Sequence, residues 1–308
     1  MRHMVAILAL VFCASTLVFD QASSADSWKI ITWGKNAPEW DQKLHVGGIR
    51  VGCSGEPAQC IRQAESAVRG EADKKVFLSV LLRAESPAEA RQYSESSLQS
   101  PFLQEIGLDD FVARYNRASG TSPTDALSWL GGMVENVKSK NANLKFGITV
   151  YESDLSSPAL KEDKLPARIR SKIDHVHLYL RYRANAPNYE SYVQQAKSIF
   201  PKARVIAGAY AYDRISYIPC ASGNPRRCAK DEELKLFMQA LTTQIRLLKS
   251  QAVDWIEFYP GGFGLEQEMD IWETPRGCQD RQKSECVENT KAMRQAATAA
   301  LTKELGAR

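Results

Sequence analysis

Several common signatures are missing from this chain. No GxGxxG or GxxxxGK[ST] run follows a strand-like stretch, which argues against a nucleotide-binding doubly wound sheet. No GxSxG elbow occurs, and no Ser-His-Asp or Cys-His set can be assigned. There is no CxxC spacing, and the chain holds only four histidines, so a cysteine-rich zinc site is a poor fit. After the N-terminal segment no second long apolar run appears, nor any low-complexity tract, Pro/Ser linker or short internal repeat. The formal net charge is only +4 and no basic stripe concentrates it, so nucleic acid is not an expected partner.

The N-terminus carries Arg2 and His3, an apolar run from Met4 to Phe19, then Ala22-Ser23-Ser24-Ala25. That order is a positive end, an apolar core and a small-residue cleavage site, so residues 1–25 are expected to be a signal peptide. Phe12 before Cys13 does not suit a lipoprotein. Removal of the segment takes Cys13 with it and leaves six of the seven cysteines, with no stable membrane span. These six form three tight pairs, Cys53/Cys60, Cys220/Cys228 and Cys278/Cys286, with six or seven residues between partners. Spacing alone does not fix a connectivity, but local pairing is the simplest. Disulfides persist in oxidising compartments, so the expected location is periplasmic or secreted. Short loops gain little from closure, so such bridges would shape loops rather than rescue a weak fold.

Residues 26–308 have the size of one α/β domain, with 44% hydrophobic and 25% charged residues over the whole chain. Strand-like segments are Lys29–Trp33, Val46–Val51, Val76–Leu82, Lys145–Tyr151, His175–Tyr182, Arg204–Tyr210 and Trp255–Tyr259. Val46–Val51 is the weakest, because Gly47-Gly48 interrupts it. Helical segments lie between them: Ala58–Arg69, Pro87–Leu98, Pro123–Lys138, Tyr189–Phe200, Asp231–Lys249 and Val287–Leu305. Ser86-Pro87-Ala88-Glu89 has the form of a capping box with Pro at the first helical position. Repeated βα units imply a mainly parallel sheet. Seven strands in about 280 residues favour a closed (β/α)8 barrel, with the eighth strand sought within 101–116.

Alternation splits each strand into two faces. In His175–Arg183, Val176, Leu178, Leu180 and Tyr182 oppose His175, His177, Tyr179 and Arg181. The apolar face suits the helix layer, which turns the polar face into the barrel. Trp255, Glu257 and Tyr259 likewise share a face, whereas Arg204–Tyr210 does not decide its own facing. Glu257 reads either as a functional carboxylate or as a buried structural partner of Arg181 or a histidine. Barrel chemistry sits at the C-terminal strand ends. There the chain places Trp33, Glu152, Asp154, Arg181, Arg183, Tyr212, Asp213 and Tyr259.

Two carboxylates across an aromatic-lined groove are what glycosidic-bond hydrolysis requires, one protonated and one ionised. On Glu152, closing FGITVYES, and Glu257, in VDWIEFYPG, the chain resembles (β/α)8 glycoside hydrolases with one Glu ending a middle strand and another on a late strand. The resemblance implies Glu152 as acid/base and Glu257 as nucleophile. Trp33, Tyr179, Arg181, Tyr212, Asp213 and Tyr259 would then bind the carbohydrate, with no cofactor. Those families commonly have Asn before the acid/base, where this chain has Tyr151. Asp154 and Asp213 are alternative carboxylates. Two other functions compete: a glycan-binding barrel without catalysis, and a mononuclear metal hydrolase built on the His175/His177 pair.

Overall fold

A computed structural model describes residues 29–33, 46–69, 74–80, 86–119, 123–211, 230–259 and 283–305. Eight parallel strands run in sequence order around a closed barrel. They are β1 (Ile30–Trp33), β2 (Gly48–Cys53), β3 (Lys75–Val80), β4 (Leu103–Leu108), β5 (Lys145–Tyr151), β6 (His175–Tyr179), β7 (Arg204–Tyr210) and β8 (Trp255–Tyr259). β8 returns to β1 with Ile31 beside Glu257, so the sheet has no free edge. The expected (β/α)8 barrel is therefore observed, and its eighth strand, β4, lies inside 101–116.

The helices among the described residues are α1 (Pro57–Ala67), α2 (Pro87–Ser96), α3 (Phe111–Ser119), α4 (Pro123–Lys138), the single turn α5 (Ala167–Arg170), α6 (Tyr189–Ile199), α7 (Lys230–Lys249) and α8 (Lys283–Leu305). None is long and apolar enough to cross a membrane. The Ser86 hydroxyl accepts from the Glu89 amide while the Glu89 carboxylate accepts from the Ser86 amide, so α2 starts on the expected reciprocal cap. The outward strand residues, such as Val76, Ile106, Ile148 and Val176, form one apolar layer with the helices. Inside the barrel the apolar cluster is small: Ile31, Phe77 and Ile206, with Trp255 against them. β7 thus turns Ile206, Gly208 and Tyr210 inward, which its sequence left undecided.

β6 is shorter than its sequence pattern. The amides of Arg181 and Tyr182 donate to Glu152 at 2.5 and 2.8 Å instead of continuing a ladder, so the strand stops at Tyr179. Arg181 consequently leaves the inward strand face on which alternation had placed it. Arg183 turns under α7, where its guanidinium pairs with Glu233, donates to the Tyr210 carbonyl at 2.6 Å and lies 5.5 Å from the Phe237 ring.

At the end of β2, Cys53 and Cys60 form a disulfide that ties the strand to α1, as local pairing predicts. Cys220, Cys228 and Cys278 lie outside the described residues. Cys286 falls in the first turn of α8, which begins at Lys283 rather than at the expected Val287. The segment that was read as a loop up to Cys286 is therefore helical over its last four residues, Lys283 to Cys286. The Cys286 side chain is outside the description, and the pairings Cys220/Cys228 and Cys278/Cys286 remain expectations from spacing.

Inward glycines make room for large neighbours on adjacent strands. A Cβ on Gly147 would collide with the Glu105 carboxylate, and one on Gly208 with the Tyr179 ring. Gly131, inside α4, is different: a Cβ there would meet only Ile169 Cδ1, at 3.7 Å. Gly131→Ala should stabilise the protein by about 0.5–1 kcal/mol, because glycine in a helix carries an entropic penalty. Gly147→Ala should destabilise it by about 1–3 kcal/mol through overpacking against a group that cannot retreat. Urea midpoints of the two variants at unchanged m-value check both signs.

Candidate functional site in the barrel mouth

The inward faces carry charge where a barrel of this type usually carries branched apolar side chains. Arg50 on β2, Glu105 on β4, His177 on β6 and Glu257 on β8 are all fully buried. Glu257 is the hub. Its Oε1 accepts from Arg50 Nη1 at 2.8 Å, from Trp33 Nε1 at 2.9 Å and from the Tyr179 hydroxyl. Its Oε2 faces His177 Nδ1 at 2.7 Å. The opposite ring nitrogen of His177 lies 3.0 and 3.2 Å from the two oxygens of Glu105. Glu105 also meets His175 Nδ1 at 2.5 Å. Charged and polar groups thus cross the barrel from β2 to β8, β6 and β4.

Burial alone would raise the Glu257 pKa, but Arg50, His177 and Tyr179 overcome it and hold the carboxyl down at about 2. Glu105 is also held below the ordinary carboxylate range, against its burial, by His177 and His175. Burial and the adjacent Glu257 keep the Tyr179 hydroxyl protonated. Arg50 remains charged beside Glu257 despite its desolvation. Its other terminal nitrogen donates to Thr149 Oγ1 at 2.7 Å and to Ser79 Oγ at 3.2 Å. Thr149 in turn bonds to Asp109, which directly follows β4.

Asp109 titrates in the opposite direction from Glu257. Burial raises its pKa, Asp110 and Glu257 add to the rise, and Arg50 and Thr149 oppose it without cancelling it. Two carboxyls whose pKa values are shifted in opposite directions are therefore connected by the bridge Asp109–Thr149–Arg50–Glu257.

Above Glu257 the strand ends form an aromatic arc over β5, β6, β7, β8 and β1. Tyr179 and Tyr210 have ring centroids 4.8 Å apart, Tyr210 and Tyr259 5.8 Å, and Tyr259 and Trp33 5.3 Å. The Tyr210 hydroxyl donates to the Tyr151 hydroxyl at 3.3 Å, which donates to Asp110 at 2.9 Å. Arg50 lies 4.7 Å from the Trp33 ring and Arg181 4.3 Å from the Tyr151 ring. On β2 and β3 and just after β4 the same face offers Gly52, Ser79 and Asp109. The mouth has an aromatic half and a small, acidic half.

Of the residues the sequence nominated, Trp33, Tyr179, Glu257 and Tyr259 are brought together here, with Arg181 close by on Tyr151. Glu152 is not among them. Tyr151 faces inward, so Glu152 faces the other way, and its buried carboxylate accepts from the Arg181 and Tyr182 amides and from Asn185 Nδ2 at 3.0 Å. Asp154 turns back to accept from the Tyr151 amide at 3.0 Å. Tyr212 and Asp213 lie outside the described residues. His177, considered as a metal ligand, has both ring nitrogens engaged by carboxylates. Among the described residues no group of three or more His, Cys, Asp or Glu is arranged to hold a metal ion.

Sequence reasoning missed Arg50, Glu105 and Asp109. A signal was present: Gly48-x-Arg50-x-Gly52 and Glu105-x-Gly107-x-Asp109 each place glycine beside a charge on one strand face.

No family model matches the chain, and no curated protein matches it in sequence. Solved structures share its architecture. An exo-β-1,4-mannosidase from Opitutaceae bacterium strain TAV5 aligns with a TM-score of 0.51 at 10% identity, over 88% of this chain and 60% of its own. A GH18 chitinase from Pseudoalteromonas aurantia gives 0.47 at 13%, over 87% of this chain and 99% of its own. An oxaloacetate acetylhydrolase gives 0.46 at 11%, over 81% of each chain. The mannosidase alignment shows a shared fold, and the resemblance drawn from the sequence holds at that level: a distant relation in architecture to (β/α)8 glycoside hydrolases.

Proposed function

We propose that this protein hydrolyses a glycosidic bond in a poly- or oligosaccharide at the barrel mouth. The observation that carries the proposal is a pair of carboxyls with pKa values shifted in opposite directions, Asp109 up and Glu257 down, joined through Thr149 and Arg50 beside an aromatic arc. Environments that push two carboxyl pKa values apart assign an acid and its ionised counterpart. Asp109 donates its proton to the leaving-group oxygen as the glycosidic C–O bond breaks, and its carboxylate then takes a proton from the water that adds to the anomeric carbon, which restores the acid. Glu257, anionic and fixed, stabilises positive charge developing on the sugar ring. Trp33, Tyr210 and Tyr259 stack against the sugar's apolar faces, and Arg181 contacts its hydroxyls. In this assignment Asp109 takes the acid role that resemblance had given to Glu152.

New reducing ends from a panel of polysaccharides test the reading, with a chelator control. Asp109→Asn should lower release about 10²–10⁴-fold, the usual worth of a positioned acid, at unchanged melting temperature. Glu257→Gln should also abolish release, and should cost about 3–5 kcal/mol of stability because it leaves Arg50 uncompensated in the interior. Full activity in Asp109→Asn would overturn the acid assignment. Glycan binding without release from any polymer would favour the non-catalytic barrel. Complete burial of Glu257 under four hydrogen-bonding partners is the observation on that side. Loss of activity on chelation would favour the metal reading.

The pH profile follows from the same two groups. Catalysis needs Glu257 ionised, which holds above about 2, and Asp109 protonated, which holds below its raised pKa. The rate should therefore fall as pH climbs through a value above the ordinary aspartate 3.8. A kcat/KM profile that is flat across the acidic range would contradict this.

We also infer export. The apolar N-terminal segment and the Cys53–Cys60 disulfide both support an oxidising destination, periplasmic or secreted. N-terminal sequencing of the protein recovered outside the cytoplasm should begin at Asp26.

A further inference from the structure

We propose that His177 is a positioning residue that stays doubly protonated throughout the neutral range, clamping Glu257 from below while Glu105 supplies its counter-charge. The inference deepens the hydrolytic reading, since it concerns how that site's anion is held. A buried carboxylate against each ring nitrogen favours this state. Glu257 accepts from Arg50, Trp33 and Tyr179 on one oxygen, and its ion pair with the Arg50 guanidinium holds it as a carboxylate, so its other oxygen has no proton to give His177. Nδ1 of His177 must therefore donate. Glu105 lies between His175 Nδ1 and His177 Nε2, fully buried within reach of both, and the two histidines hold it below the ordinary carboxylate range. As a carboxylate it accepts from both, and Nε2 of His177 must donate as well. A neutral imidazole has one N–H and cannot fill both posts.

Charge balance leads to the same state. Two carboxylates and Arg50 leave the fully buried group one negative charge in excess, and an imidazolium at His177 cancels it. The groups around the ring are Arg50 on β2, Phe77 on β3, Glu105 on β4, Thr149 on β5, His175 and Tyr179 on β6, Ile206 on β7 and Glu257 on β8. Burial and Arg50 oppose the positive charge, but the two carboxylates prevail and the His177 pKa is raised. The linkage sign follows. The stability from this group is fully present below the unfolded histidine pKa of about 6.5 and is lost as pH rises through the raised folded value.

The test is ring ¹⁵N–¹H spectroscopy of histidine-labelled protein, which is tractable because the chain has only four histidines. A His177→Gln spectrum assigns the signals. Wild-type His177 should keep both ring protons at pH 8.5. In Glu105→Gln it should lose one of them near or below neutrality. His177→Gln should raise the acidic limb of the hydrolysis profile and lower kcat about a hundred-fold with KM little changed, as expected for a misplaced catalytic group. The double variant His177→Gln/Glu105→Gln should melt above the single His177→Gln variant, because it removes a buried anion that has lost one of its two histidine partners. A single ring proton on wild-type His177 at pH 7.5, or titration at the ordinary value, would overturn the proposal without needing any variant to fold. The spectroscopic result does not depend on activity. If no polymer is cleaved but both protons persist, the hydrolytic reading fails and the imidazolium assignment stands.

Discussion

The interior of this barrel is organised by the cost of burying the Glu257 charge. An ion taken fully out of water carries a penalty of several kcal/mol that only well-placed partners offset. Arg50 provides the opposite charge, and Trp33, Tyr179 and His177 complete the shell. The two aromatic residues therefore hold their places at the mouth through polar atoms. The Trp33 ring stays partly exposed while its N–H is anchored beneath, and the buried Tyr179 ring supports the arc through its contact with Tyr210. The aromatic arc and the buried ion pair are one construction, and disturbing the anion would move the platform.

Such a construction needs space that a barrel packed in layers does not ordinarily leave. Here glycines provide it. Gly107 and Gly147 face the Glu105 carboxylate, Gly208 lies under Tyr179, and Gly48 lies against Phe77. Each long inward side chain crosses toward the axis over a neighbouring strand that carries nothing at that level. The apolar share of the interior shrinks to a plug near the strand starts, and the outer layer between sheet and helices provides most of the hydrophobic core. Charge in the centre is compatible with this fold because the two functions, stability and chemistry, occupy different layers.

That division explains which features were legible in the sequence. The outer layer obeys the ordinary rule of apolar strands between amphipathic helices, so the βα rhythm and the barrel could be read directly. The inner layer inverts the rule. β4 escaped recognition because its inward positions are Glu105 and Gly107, followed by Asp109, and Gly47-Gly48 weakened β2 in the same way. Glu105 and Asp109 were lost with β4, and Arg50 went unremarked on a strand read as the weakest, although all three hold or oppose the charge on Glu257. Glu152 drew attention by standing at a strand end. Strand parity argues otherwise, because Thr149 and Tyr151 face inward and the next residue must face out. Its carboxylate then determines where β6 ends, a consequence of folded geometry that no local pattern announces.

The rim is also braced beneath the site. The Cys53–Cys60 disulfide secures the end of the strand that carries Arg50, and Arg183 with Glu233 secures the segment after β6 against α7. Glu152 caps the same segment from the β5 side. These three ties lie outside the aromatic mouth and contact different strands, so the donors that converge on Glu257 are held from several directions. Fixed dipoles aimed at a buried charge need no reorganisation when charge changes nearby, which is the main electrostatic advantage a protein site has over water. In that setting a half-buried carboxyl at the rim and a fully buried one below it can have their pKa values shifted in opposite directions while sharing one hydrogen-bonded bridge. Arg50 makes the difference, because it lies directly against the anion, whereas its attraction for the acid does not cancel that group's desolvation.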